Sequence, residues 1–393
     1  MSVERREELR GRLRAVGFDV VRFAAAGPLV NDGAALKDWL RDGKQAEMAW
    51  MERTLEKRGD PSLVLAGAKT VIALAVNYGS REPGPGSRTE GTRSAVWARY
   101  ALHEDYHDTV KPGLAAAGKA IEDVYGASGE DYRYYVDTGP VLERSWAARA
   151  GVGFVGKNAM LISREHGNWL LLAAILTRVE IGPDEPLRNR AVAAGAEGSV
   201  GLLCGSCTRC LEACPTGALV APGVVDSRLC VSYQTIENRG AIPRELRGGI
   251  GARIYGCDVC AEVCPWNRFA QAGRDVLLVA RRELGELTLR EILQLTPERF
   301  AAVFRRTPIK RAKLAGLLRN ACVVAGNTRD ESVLGDLIRL AGEGVPLVRA
   351  HAVWAVFRIA GAERARELLQ EARAREDDEM VLAEYRAEES AGV

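Results

Sequence analysis

The sequence predicts an α+β protein in three successive parts: a mixed N-terminal region, a cysteine-rich segment and an all-helical tail. Three observations carry this. Up to about Thr177, helix-like stretches at 2 to 16, 105 to 124 and 141 to 150 alternate with the β-rich runs GFDVVRF, KTVIALAVNY, DYRYYVD and NWLLLAAILT. Eight of the nine cysteines fall between Cys204 and Cys264. From about Leu287 onward the apolar residues recur only at the three-and-four spacing of helix faces.

Composition narrows the function classes. In 393 residues, 54 Lys and Arg face 52 Asp and Glu, so no global charge attracts nucleic acid and any such site must be a local patch. The longest apolar run, Trp169 to Leu176, is strand-sized, far short of the roughly 18 residues of a membrane span. At the N-terminus Arg5 and Arg6 are followed by Glu7 and Glu8 with no apolar stretch, which reads as an amphipathic helix rather than an export signal. A cytoplasmic location is expected. Cysteines there are kept reduced, so eight clustered thiols point to metal binding, not disulfides.

Two breaks organise the chain. REPGPGSRTEGTRS (81 to 94) has the composition of a mobile surface loop or a plain linker, and a second break at 183 to 201 precedes the cysteines. In the tail, Leu314, Leu317, Leu318, Ala321, Cys322 and Ala325 share one helix face, and Cys322 reads as a small buried hydrophobe. LRNACVVA (318 to 325) overlays VRAHAVWA (348 to 355). Paired-helix repeats of HEAT type fit this spacing, as does an ordinary four-helix cap. The divisions expected are 1–190, 191–275 and 276–393.

Cys204-x2-Cys207-x2-Cys210-x3-Cys214-Pro215 reproduces the bacterial ferredoxin run, in which three cysteines bind one 4Fe-4S cube and the fourth reaches a second. Cys257-x2-Cys260-x3-Cys264-Pro265 repeats it with Ile254 in place of the first ligand, so Cys230 is the substitute. The cross-over rule then assigns Cys204, Cys207, Cys210 and Cys264 to one cube and Cys214, Cys230, Cys257 and Cys260 to the other. A pair of structural zinc sites is the alternative. Two cubes form an electron wire, and no Rossmann or P-loop fingerprint supplies its terminus.

The strings RYALHEDYHDTVKPGL (99 to 114), VDTGPVLERSWAARAGVGFVGKNAMLI (136 to 162), CVSYQTIENRG (230 to 240), RTPIKRAKLAGLLRNA (306 to 321) and both cluster runs resemble the epoxyqueuosine reductase family over essentially the whole chain. The resemblance implies a nitroreductase-like cobalamin-binding catalytic domain (1–190), a ferredoxin-like domain with two 4Fe-4S clusters (191–275) and a HEAT-like tRNA-binding domain (276–393). It implies reduction of epoxyqueuosine at the tRNA wobble position to queuosine. The expected cofactors are two 4Fe-4S clusters and cobalamin, and the expected partners are the tRNA anticodon stem-loop and a low-potential donor such as ferredoxin or flavodoxin. A monomer with no membrane association is expected.

Asp137 in VDTGPVLER resembles the catalytic aspartate of the family. Apart from the resemblance, it ends a β-like run before a turn, where flanking tyrosines would desolvate it enough to keep its proton near neutral pH, or where it would simply cap a helix. The resemblance further offers Arg58, Tyr100, Tyr106, His107, Asp137, Lys157, Asn158, Ser232, Gln234 and Asp258 as cobalamin contacts. His107 reads as a packed polar residue or as a cobalt ligand. Arg305, Arg306, Lys310, Arg311, Lys313 and Arg319 form a basic run with no acid, joined by Arg349; it reads as a tRNA phosphate site or as a solvated helix face. The rival functions are a reductive dehalogenase-like reductase and a ferredoxin-type electron carrier with a HEAT docking module.

Overall fold

The structure is a computed structural model that describes residues 3–79, 95–188, 200–274 and 276–390. The expected loop at 81 to 94 and most of the break at 183 to 201 lie outside the described residues. The chain forms two compact units, each assembled from separated stretches. The first comprises Met1–Glu82, Glu104–Arg228 and Val259–Ala280, and the second Pro83–His103, Leu229–Asp258 and Arg281–Val393.

In the first unit a four-stranded antiparallel sheet runs in the order β1 (Val20–Ala25), β2 (Thr70–Asn77), β4 (Leu170–Thr177), β3 (Tyr132–Tyr135). Both faces of β2 are buried, which explains why its sequence, TVIALAVN, is nearly continuous in apolar residues rather than alternating. Val71, Ala73 and Ala75 share a core with Trp146 and Ala147 of helix α3 (Glu143–Arg149). Helices α1 (Val3–Val16) and α2 (Tyr106–Tyr125) pack together, and the buried faces they carry include Leu9, Leu13, Leu114 and Ile121. Each such Leu or Ile buried stabilises by roughly 1.5–3 kcal/mol. The strands and helices expected in this region are therefore present, within a few residues at each end.

Helix α2 is started by Asp105, whose carboxylate accepts the backbone N–H of His107 at 3.0 Å, and stopped by Gly126 at φ +69°. Strand β3 sits at the sheet edge and ends at Tyr135. The chain then turns through Gly139, where a Cβ would lie 2.4 Å from the Tyr135 ring, so the turn demands glycine.

The second unit holds one large core. Its main helices are α5 (Lys313–Thr328), α6 (Leu334–Glu343), α7 (Pro346–Ala360) and α8 (Glu379–Ser390), while the short α4 (Arg209–Ala213) belongs to the first unit. The two repeated octets lie within α5 and α7, which pack against each other, and Cys322 is fully buried in this core as expected.

Candidate active site and cluster cavity

The edge strand delivers Asp137 one residue past Val136 with φ +58°, in the left-handed region that costs a non-glycine residue of order 1 kcal/mol. Helix α2 delivers its partners. Tyr106 Oη donates to Asp137 Oδ2 at 2.7 Å, and His107 Nε2 lies 3.3 Å from the same oxygen. His107 Nδ1 is held 2.7 Å from Asp105 Oδ1, and the imidazole stacks on the Tyr106 ring with centroids 4.2 Å apart. One N-cap residue thus both starts the helix and orients the imidazole.

The electrostatics correct one expectation. Burial pushes the Asp137 carboxyl up, but hydrogen bonds from His107 and Tyr106 and the charges of His107 and Arg144 outweigh it, and the net shift is downward. Burial likewise pushes His107 down, yet bonds to Asp105 and Asp137 raise it to about 9. At neutral pH the shared proton therefore rests on His107, and Asp137 is the anion. The Asp137 side chain is 64% exposed, and the Tyr135 ring packs over Gly139. Both His107 nitrogens are engaged by aspartates, so the ring has no lone pair left for cobalt.

Arg58 is buried under the turn that follows. Its Nη1 donates to Val141 O at 3.2 Å, its Nε to Thr54 Oγ1 at 2.9 Å, and its guanidinium lies 5.3 Å from the centre of the Trp50 ring. It props the loop rather than reaching outward. Glu143, which sequence reasoning missed, opens α3. Its Oε1 is buried with no hydrogen-bond partner among the described residues, and burial, reinforced by the Asp137 charge, pushes the carboxyl up to about 7 against its own backbone amide, Arg58 and Arg144. Nothing in the string VLERS marks it, because its solvation depends on elements distant in sequence.

Also within the first unit, a cavity of about 230 Å³ is lined by Cys204, Cys207, Cys210 and Cys264, the four thiols that the cross-over rule assigns to one cube. Burial and neighbouring thiols raise Cys204 and Cys210, although the Lys157 amide and charge pull Cys204 partly back. Such thiols become thiolates only beside a strong positive charge, and iron supplies one. The donor set fits a cluster. Among the described residues no three His, Cys, Asp or Glu side chains converge on a single ion.

Lys157 and Asn158, expected at cobalamin, line this cavity. Lys157 Nζ donates to Gly205 O at 2.8 Å and Cys207 O at 3.1 Å, pinning the ligand loop. Asn158 is buried and donates to Asn168 Oδ1 and Cys260 O. Of the other four cysteines, Cys214 and Cys260 belong to the first unit and Cys230 and Cys257 to the second, all half-buried. Cys214 Sγ accepts from the Ala218 amide at 3.2 Å.

In the second unit Ser232 Oγ donates to Cys257 O at 3.5 Å, and Asp258 Oδ2 accepts the Arg99 amide at 2.7 Å. Tyr100 packs near Tyr255, and buried Gln234 accepts from Asn238 through Oε1. The basic run divides. Arg305, Arg306, Lys310, Arg311 and Lys313 are exposed, although Arg311 is bidentate to Glu237 at 2.9 Å. Arg319, expected on the surface, is 1% exposed and donates to the carbonyls of Gln234, Asn238 and Gly240. Arg349 is paired with Glu376 at 2.7 Å and 2.8 Å. These two are structural cations.

Residues 203–267 match a family profile described as a 4Fe-4S double cluster binding domain, and residues 58–138 match one described as epoxyqueuosine reductase QueG. The chain is 37% identical over 352 residues to an epoxyqueuosine reductase of Xanthomonas campestris, covering 88% of this chain and 94% of that protein. With the Escherichia coli epoxyqueuosine reductase the identity is 36% over 322 residues, covering 82% and 81%. A crystal structure of epoxyqueuosine reductase with an epoxyqueuosine-modified tRNA-Tyr stem loop superposes with TM-score 0.86 at 29% identity, covering 99% of each chain. A Bacillus subtilis epoxyqueuosine reductase, whose structure has its aspartate catalytic loop swung out of the active site, gives 0.79 at 29%, covering 98% of each chain. Likeness of this extent, in sequence and in fold alike, places the chain in the epoxyqueuosine reductase family.

Proposed function

We propose that this oxidoreductase reduces epoxyqueuosine in tRNA to queuosine, with Asp137 as the residue that passes a proton to the departing oxygen. The carrying observation is the Tyr106–Asp137–His107 group, which aims one carboxylate at solvent while keeping a proton one hydrogen bond behind it. The eight cysteines Cys204 to Cys264 are the proposed cluster ligands, and a low-potential one-electron donor feeds them. Cobalamin, when bound, supplies a strongly reducing cobalt for C–O cleavage. The residues of this chain do the rest. Asp137 orients the epoxide oxygen, His107 keeps the site supplied with a proton, and Asp105 holds the imidazole in the tautomer that can deliver it.

For the RNA, exposed Arg305, Arg306, Lys310 and Lys313 are the proposed phosphate contacts, on a tail of HEAT-like helices that follows a nitroreductase-like catalytic domain. The wobble base is read in a loop, where leaving the stack is cheap. Anaerobically reconstituted protein is incubated with cobalamin, a low-potential reductant and epoxyqueuosine tRNA, and the nucleosides are weighed. Queuosine, one oxygen lighter, is expected. Unchanged epoxyqueuosine with both clusters loaded would overturn the proposal.

A further inference from the structure

Deoxygenating an epoxide breaks both C–O bonds, forms one C=C bond and releases the oxygen as water. Two electrons from the low-potential donor and two protons balance it. The Asp137–His107 pair stores one proton. A second has to come from a group that is neutral and acidic when substrate binds.

Glu143 has that character. It opens α3 six residues after Asp137, at the far end of the turn that Gly139 closes beneath Tyr135. Its Oε1 is buried and receives no hydrogen bond from the described residues, and an oxygen so placed cannot stabilise a negative charge. The groups that act on it are Asp137, Arg58, Arg144 and its own backbone amide. Both arginine heads are partly spent on carbonyls, Arg58 on Val141 and Arg144 on Ala159. The residue as a whole is half-buried and the Asp137 side chain is 64% exposed, so solvent reaches both and a water can carry a proton between them.

We propose that Glu143 is a positioning residue of the reduction: held neutral by its place in the fold, it resupplies Asp137 with the second of the two protons consumed per turnover. The inference rests on the reading of Asp137 given above. In the acid range Glu143 is protonated, and its loss through about pH 7 removes the second proton, so turnover falls there. Replacing it by Gln keeps the shape and neutrality but not the proton. The limb near 7 then disappears and the remaining fall moves to about 9, where His107 titrates.

Two measurements decide this on the full chain. The first is infrared titration of wild type carrying carboxyl-labelled glutamate, which expects a protonated-carboxyl band that vanishes through neutrality and is absent from Glu143→Gln. The second is the pH profile of single-turnover queuosine formation in both proteins. No such band in wild type, or the same band in Glu143→Gln, or an unchanged falling limb in the variant, overturns the proposal. The infrared arm needs no turnover. Failure of wild type to form queuosine at any pH would therefore strike the reading of the reaction, while the titration still judges Glu143.

Discussion

Two regions of this molecule are dense in ionisable side chains, and they spend them differently. Around Asp137 the charges are left poised: an exposed carboxylate, an imidazole raised to about 9 and a carboxyl raised to about 7. In the segment from Arg305 to Arg319 much of the charge is used up. Arg319 is sealed against three carbonyls, and Arg311, although exposed like Arg305, Arg306, Lys310 and Lys313, is bidentate to Glu237. A charge in a sequence is only a potential function. Whether it acts on a ligand or on the fold depends on the partner that tertiary structure gives it.

Substituting one residue from each class sharpens this contrast. Arg319→Met should have the largest effect, because it leaves several buried carbonyls without donors. A loss of about 3–5 kcal/mol of stability is expected, measured by chemical denaturation. If instead the variant is as stable as wild type and binds tRNA more weakly, Arg319 belongs with the ligand-facing cations.

Asp137→Asn is next. It should leave tRNA binding almost unchanged while lowering single-turnover reduction roughly a hundredfold or more, as expected for a lost proton-transfer group. The same substitution has a pH signature. His107 is raised from 6.5 to about 9, so its pairing stabilises the fold fully below about 6.5 and is lost as pH rises through about 9. Removing the Asp137 charge narrows that window, which thermal melts across this range will register. Melts that coincide for both proteins would show that Asp105 alone holds the proton on His107.

Smaller still is the expected effect of Lys310→Ala with Lys313→Ala. Stability should stay within about 0.5 kcal/mol, since both side chains are exposed. Binding of tRNA should weaken, and the log–log salt slope should fall by about two, one for each phosphate that the variant no longer neutralises. Equal slopes would make the patch a solvated face. Arg311→Ala completes the series with a change below about 1 kcal/mol, because an exposed ion pair to Glu237 is worth little.

The cysteine run and the alternation of strands with helices were legible in the sequence because each rests on local spacing. Three thiols two residues apart fit one loop whatever surrounds it, and a buried strand needs an apolar run wherever it lies. The cavity holds the same four cysteines that the cross-over rule brings together. Asp137 was singled out by the family resemblance, and of the two local readings, retained proton or helix cap, neither named the partners that set its charge, since these arrive on α2, some thirty residues earlier in the chain.

Sequence by itself determined which chemistry-bearing residues the chain owns and which elements carry them. Tertiary structure alone decided their charge states and their partners: that the proton sits on His107, that one carboxyl oxygen of Glu143 is buried, that Lys157 bonds the carbonyls of Gly205 and Cys207, that Asn158 bonds Asn168, and that Arg319 faces inward. The physical reason is the range of the forces. Helix and strand periodicity and ligand spacing act along a few consecutive residues, whereas desolvation and pairing depend on whatever the fold brings within a few ångströms, wherever it lies in the chain.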